Sequence, residues 1–143
     1  MDPVLVRLLW VTAFVVVVLA AGLVLRRRQG RLRDGDAAVL ADVHLERLGL
    51  DLRGTSGAAV LVGSPTCGPC VQARRVLGEV AAERTDFRWV YADAEEHPEL
   101  SREHRVLRVP TVLVVAPSGR IVARSTGVPR SDELHAALSA PAA

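Results

Sequence analysis

The sequence predicts an α/β fold, a mixed central sheet flanked by helices, preceded by one N-terminal transmembrane helix. Three observations predict it. An uncharged, almost wholly aliphatic run, Leu8 to Leu25, stands near the start. A short apolar run without alternation, Ala58 to Val62, suits a strand buried on both faces, and Val112 to Val115 reads as a further strand. Stretches with helical spacing and turn signals such as Pro117-Ser118-Gly119 separate and follow them.

The chain has 143 residues. They divide into an anchor with its basic flank at 1–29, a linker at 30–37 and one domain at 38–143. Half of the residues are hydrophobic but only 3% are aromatic, so the core must be built from Val, Leu and Ala. All eighteen basic residues are arginine and Asn is absent, which reads as genomic composition bias. Charge is unevenly spread. Six arginines and only Asp2 of the acids lie within residues 1–33; beyond them twelve arginines meet fifteen acids, a net −3. The basic charge belongs to the membrane flank, and nucleic acid is excluded as a partner of the domain.

Val4 to Leu25 would span about 33 Å as a helix, against a hydrocarbon core about 30 Å thick. In lipid a lone span satisfies its backbone only as a helix, so the β propensity of Val15 to Val18 is overridden. Trp10 lies near one end, as interfacial aromatics do. A cleaved signal peptide would carry a shorter apolar region and a neutral mature start; here the run ends directly in Arg26-Arg27-Arg28. Five arginines after the span against one before it predict an outside N-terminus and a cytoplasmic domain. The domain is extracytoplasmic if those arginines only stop transfer.

Gln29 to Asp36 is polar with Gly30 and Gly35. Val39, Leu40, Val43, Leu45 and Leu48 give Asp36 to Leu50 a helical spacing that Gly49 stops. Ala58 to Val62 is the first strand, and Val71 to Ala82 an amphipathic helix with Cys70, Ala73, Leu77 and Val80 on one side. Phe87 to Ala92 is a second strand ended by Asp93. Glu95 to His104 is helical, with Pro98 in the first turn. Val112 to Val115 and Arg120 to Ser125 form a hairpin, the latter with Ile121 and Ala123 on one face. Ser131 caps a last helix.

Cys67-Gly68-Pro69-Cys70, the only two cysteines, stand where the first strand hands over to the amphipathic helix. A Cys-x-x-Cys so placed reads as a redox-active dithiol. The thiolate is the attacking species, and a helix N-terminus favours it at Cys67. Cys70, one turn on, faces the domain and can resolve a mixed disulfide. Pro69 suits the first turn because it needs no hydrogen-bond partner. A structural zinc site wants four ligands; two would have to come from His44, His97, His104 and His135, which read instead as surface residues of helices. No metal and no cofactor is assigned. A permanent structural disulfide over so short a loop would gain little.

Cys-Gly-Pro-Cys after a buried strand, with Val109-Pro110-Thr111 about forty residues on, resembles the thioredoxin superfamily over roughly residues 38–140. The resemblance implies a thioredoxin-like fold and catalytic roles for Cys67 and Cys70. It also implies a cis Val109-Pro110 bond beside the dithiol and substrate contacts from Thr66, Gly68, Pro69, Val109, Pro110 and Gly127. Asp93 matches a family acidic position. Two positions depart: Thr66 replaces the family's Trp, and Leu61 replaces a buried acid credited with proton transfer. The anchor and composition look like membrane-tethered thioredoxin-like proteins of actinobacteria.

These features predict a membrane-anchored thiol–disulfide oxidoreductase, reducing in direction. Its partners would be protein disulfide substrates, a separate electron-donor protein and the membrane through Val4 to Leu25. Two alternatives stand beside it: outward-facing disulfide exchange or cytochrome c maturation, and a redox-sensing or assembly module with weak catalysis, which the loss of Trp and acid favours.

Overall fold

The computed structural model describes residues 3–28, 31–35 and 38–139. Helix α1 spans Pro3–Arg28. Its Val4–Leu25 segment has a mean hydropathy of 2.8, and none of it is buried against the rest of the protein. It is long and apolar enough to cross a membrane. Its one hydroxyl in mid-course, Thr12 Oγ1, donates back to the Leu8 carbonyl at 2.8 Å, so it adds no unmet polar demand.

The remaining elements are strand β1 (Arg33–Asp34), α2 (Asp42–Leu48), β2 (Gly57–Gly63), α3 (Gly68–Glu83) and β3 (Phe87–Asp93), then α4 (Pro98–Glu103), β4 (Thr111–Val115), β5 (Ile121–Thr126) and α5 (Ser131–Ser139). The five strands form one sheet in the order β1-β5-β4-β2-β3. Among the described residues only β2 and β3 run parallel, joined through α3; every other pairing is antiparallel. This is the mixed sheet that a strand–helix–strand crossover followed by a hairpin builds.

All seven residues of β2 are buried, which explains a run with no polar alternation. The pleat divides them. Ala59 and Leu61 join Ala73, Leu77 and Val80 of α3 and Leu134 and Leu138 of α5 in one core layer. Ala58, Val60 and Val62 face the other way, with Leu40, Leu45, Leu48 and Leu100. Each buried Leu or Val contributes about 1.5–3 kcal/mol, and with so few aromatics these two layers supply the fold's apolar burial.

Three details differ from the expectations above. Part of the expected linker belongs to the sheet: Arg33 and Asp34 pair with Arg124 and Ala123, and the Gly35 N–H donates to the Val122 carbonyl at 2.9 Å. A Cβ on Gly35 would stand 2.1 Å from the Ile121 carbonyl oxygen, so only glycine permits that approach. The second helix begins at Asp42; Asp36 and Ala37 lie outside the described residues. Val39 bridges to Arg120 and the Leu40 N–H donates to the Gly119 carbonyl, so sheet-edge pairing wins over helical spacing there. Ile121 and Ala123 do not share a face. A register shift at Val114/Val115 sends Ile121 to the α2–α4 layer and Ala123 to the α3–α5 layer, as a bulge does.

At the far end of the sheet from the dithiol loop, Arg84 caps α3 and ties elements together. Its guanidinium donates to Asp86, to Ser56 Oγ at 3.2 Å and to Ser139 Oγ at 3.3 Å. Hydrogen bonding from Arg84, then Ser56, holds the Asp86 carboxyl down from 3.8 to about 2. A depressed carboxyl stabilises the fold above its unfolded value and loses that contribution as pH falls towards 2. Urea unfolding between pH 4 and 2 is expected to show a flatter acid loss of stability in Asp86→Asn than in wild type. Equal slopes would remove this pair from the acid response.

Candidate functional site

The dithiol is built by the end of β2. The backbone leaves Gly63 and turns through Ser64–Thr66, where Ser64 and Thr66 hydroxyls lie 3.2 Å apart and the Cys67 N–H donates to the Ser64 carbonyl at 3.1 Å. Cys67 is the N-cap of α3, with extended backbone angles, and Pro69 sits in the first turn. Cys67 is half-buried while Cys70 is only 2% exposed. The two are joined in a disulfide with Cα atoms 5.3 Å apart, inside the range such a bond requires. Thr66, Gly68 and Pro69 are exposed around Cys67.

Strand register brings the other expected residues to the same end. Val62 pairs with Thr111, and Thr111 pairs with Thr126. The segments Val109-Pro110, before Thr111, and Gly127, after Thr126, therefore emerge beside the dithiol loop. Val109-Pro110 is cis, with Pro110 buried and Val109 37% exposed. The Gly127 N–H donates to the Pro110 carbonyl at 2.8 Å, and its φ of 104° is one that glycine adopts freely. Asp93, opposite Gly63 in the register, turns the chain out of β3: its Oδ1 accepts from the Glu95 N–H at 2.9 Å.

Sequence reasoning missed Gly63, Tyr91 and Arg74. A Cβ on Gly63 would meet Tyr91 Cε2 at 2.6 Å and Cys70 Sγ at 3.2 Å. The missing side chain thus lets the Tyr91 ring and the Cys70 sulfur close on one backbone atom. Arg74, one turn beyond Cys70, stacks its guanidinium 3.8 Å from the Tyr91 ring centroid, a cation–π contact. The Tyr91 hydroxyl is buried with no hydrogen-bond partner among the described residues. The one cue in the sequence was the single tyrosine in Phe-Arg-Trp-Val-Tyr-Ala, which signals a strand before it signals a site. Leu61, where the thioredoxin resemblance implied an acid, is fully buried in the α3–α5 layer.

Known proteins were compared with this geometry. No family profile matches the chain. Thioredoxin from Mycobacterium tuberculosis is 39% identical over 62 residues, which cover 43% of this chain and 53% of that protein. Thioredoxin H2-1 from Oryza sativa is 36% identical over 73 residues, 51% of each chain. Among solved structures, oxidised mitochondrial thioredoxin 3 from Saccharomyces cerevisiae superposes with a TM-score of 0.54 at 21% identity, covering 66% of this chain and 87% of that one. The chain has a thioredoxin-like fold, and its sequence is similar to thioredoxins over part of that fold. It spans about half the length of the curated relatives it matches, and the likeness to the yeast structure is one of fold.

Two of the histidines expected on helix surfaces are not there. His44 and His104 are 4% and 8% exposed, in the layer that α2 and α4 cover. Burial pushes the His104 imidazole below its usual range.

Gly63→Ala is expected to destabilise the oxidised protein by about 1–3 kcal/mol through overpacking, measured by urea unfolding, with Tyr91→Phe giving no relief because the ring stays. Tyr91→Phe alone is expected to be neutral or mildly stabilising, since it removes a buried hydroxyl that bonds to nothing. A large loss in Tyr91→Phe would mean the hydroxyl has a partner.

Proposed function

We propose that the protein is a membrane-anchored thiol–disulfide oxidoreductase that reduces protein disulfides. The observation that carries it is the asymmetry of the pair: Cys67 is accessible at the N-terminus of α3, and Cys70 is buried one turn behind it. In the reduced protein the Cys67 thiolate attacks one sulfur of a substrate disulfide and the other leaves as thiolate. Cys70 then attacks the Cys67 sulfur, the substrate's second thiolate leaves, and the Cys67–Cys70 disulfide remains. Two electrons pass to the substrate, and a separate donor protein restores the dithiol.

Val109, Pro110 and Gly127 offer the edge along which a substrate strand lies, with Thr66, Gly68 and Pro69 framing Cys67. Val71, Leu107 and Val109 add exposed apolar surface in the same loops and helix turn, which suits segments of client proteins. The apolar wall at Leu61 leaves proton transfer at Cys70 without a carboxylate in that strand, so exchange is expected to be slower than in relatives that carry one.

Helix α1 serves as the anchor. The arginines that follow it support a cytoplasmic domain, where dithiols are kept reduced. Two experiments test the proposal. Cys70→Ser is expected to accumulate mixed disulfides with client proteins through Cys67, seen as reductant-sensitive bands on non-reducing gels; Cys67→Ser is expected to trap none. No adducts in Cys70→Ser would end the enzyme reading. In intact cells, a membrane-impermeant thiol reagent is expected to label Cys67 only after permeabilisation. Labelling without permeabilisation would place the domain outside and favour extracytoplasmic exchange.

A further inference from the structure

On the face of the sheet covered by α2 and α4, three side chains from two distant segments converge. His44 comes from the middle of α2, Glu103 ends α4, and His104 is the residue that closes that helix. One candidate ligand atom from each lies within 4.8 Å of the others. His44 Nε2 is hydrogen-bonded to Glu103 Oε2. The two imidazole rings meet edge-on, with centroids 6.2 Å apart.

A histidine–carboxylate pair accounts for His44 and Glu103. It leaves His104 unexplained. That residue is more than nine-tenths buried, and its Nε2 has no hydrogen-bond partner among the described residues. Buried polar atoms in native proteins have partners, and each exception calls for a cause, an ion among them. We propose that His44, Glu103 and His104 bind one divalent cation of the zinc class, with the fourth coordination position open.

The donor chemistry fits. Two imidazoles and one carboxylate, with a fourth place left to water, is a zinc-type set. Four-coordinate zinc with bonds of about 2.0–2.2 Å spaces its ligand atoms roughly 3.4 Å apart. Glu103 has a side chain 59% exposed and can swing to that spacing, while the two rings are held by packing. Beside the cluster lies a cavity of about 320 Å³ bordered by Glu103, His104, Arg105, Leu113 and Arg124, with room for a water ligand. The neighbouring cation does not occupy the carboxylate: Arg124 Nη2 donates to the Arg105 carbonyl at 2.8 Å. Bound there, the ion would pin α2 to the end of α4, on a part of the domain that neither cysteine enters. The inference therefore stands apart from the redox proposal.

The test uses the untagged full chain in detergent, with Cys67 and Cys70 kept as the disulfide so that thiolates cannot compete. Zn²⁺ is titrated by calorimetry, and Co²⁺ is followed by its visible absorption. One saturable equivalent is expected, with the visible bands of four-coordinate Co²⁺. At a hundredfold excess over Kd, Zn²⁺ is expected to raise the melting temperature by about 10 °C. His104→Gln is expected to abolish the Co²⁺ bands. Because that residue is buried and its replacement could unfold the domain, Glu103→Ala at an exposed position is measured as well and is expected to weaken binding at least about 10-fold. Absence of a saturable equivalent, or binding by Glu103→Ala equal to wild type, would overturn the proposal.

Discussion

Strand β2 is hydrogen-bonded along both edges and covered on both faces, so its register leaves its neighbours little freedom. It pairs with β3 from Gly57 to Gly63 and with β4 from Ala58 to Val62. Through the first pairing it sets Tyr91 and Asp93; through the second it sets Thr111 and hence the cis proline before it. Its last residue, Gly63, receives the Tyr91 ring and the Cys70 sulfur. A one-residue slip would turn Leu61 and Ala59 out of the α3–α5 layer and send Val60 and Val62 into it. The position of the dithiol is thus a consequence of apolar packing several residues upstream.

The same packing sets the chemical character of the pair. A helix N-terminus supplies partial positive charge at Cys67; Arg74, one turn beyond Cys70, lies on the Tyr91 ring. In β2, Leu61 is buried in the α3–α5 layer, so the strand that leads to Gly63 offers no carboxylate. In the proposed exchange, attack by Cys67 would be the assisted half, and resolution by Cys70 would proceed without a carboxylate in β2. The Tyr91 hydroxyl, buried and unpaired, is a polar group held at this end of the sheet.

Much of this was legible in the sequence, for physical reasons. Doubly buried strands read as short apolar runs, so Ala58–Val62 and Val112–Val115 could be located within a residue or two. The dithiol was legible because Cys-Gly-Pro-Cys joins chemistry to a local start of a helix, and the proline loop because Val109-Pro110-Thr111 introduces a strand. Features that depend on the approach of distant segments were not legible. Strand β1 is two residues of arginine and aspartate held by pairing with β5 rather than by any propensity. The bulge that separates Ile121 from Ala123 lies at Val122, where β5 advances two residues against one of β4, and only the pairing reveals it. Gly63 looks like any strand-end glycine until Tyr91 is beside it. His44 and His104 carry helical, polar surroundings in sequence, and only the packing of α2 against α4 buries them together.

The most direct measurement of the central claim is differential alkylation of the reduced full chain in detergent, with each cysteine followed by mass spectrometry over time. Cys67 is expected to react many times faster than Cys70, with Cys70 protected until the domain is unfolded. Equal rates for the two thiols in the folded protein would contradict an attacking and a resolving cysteine.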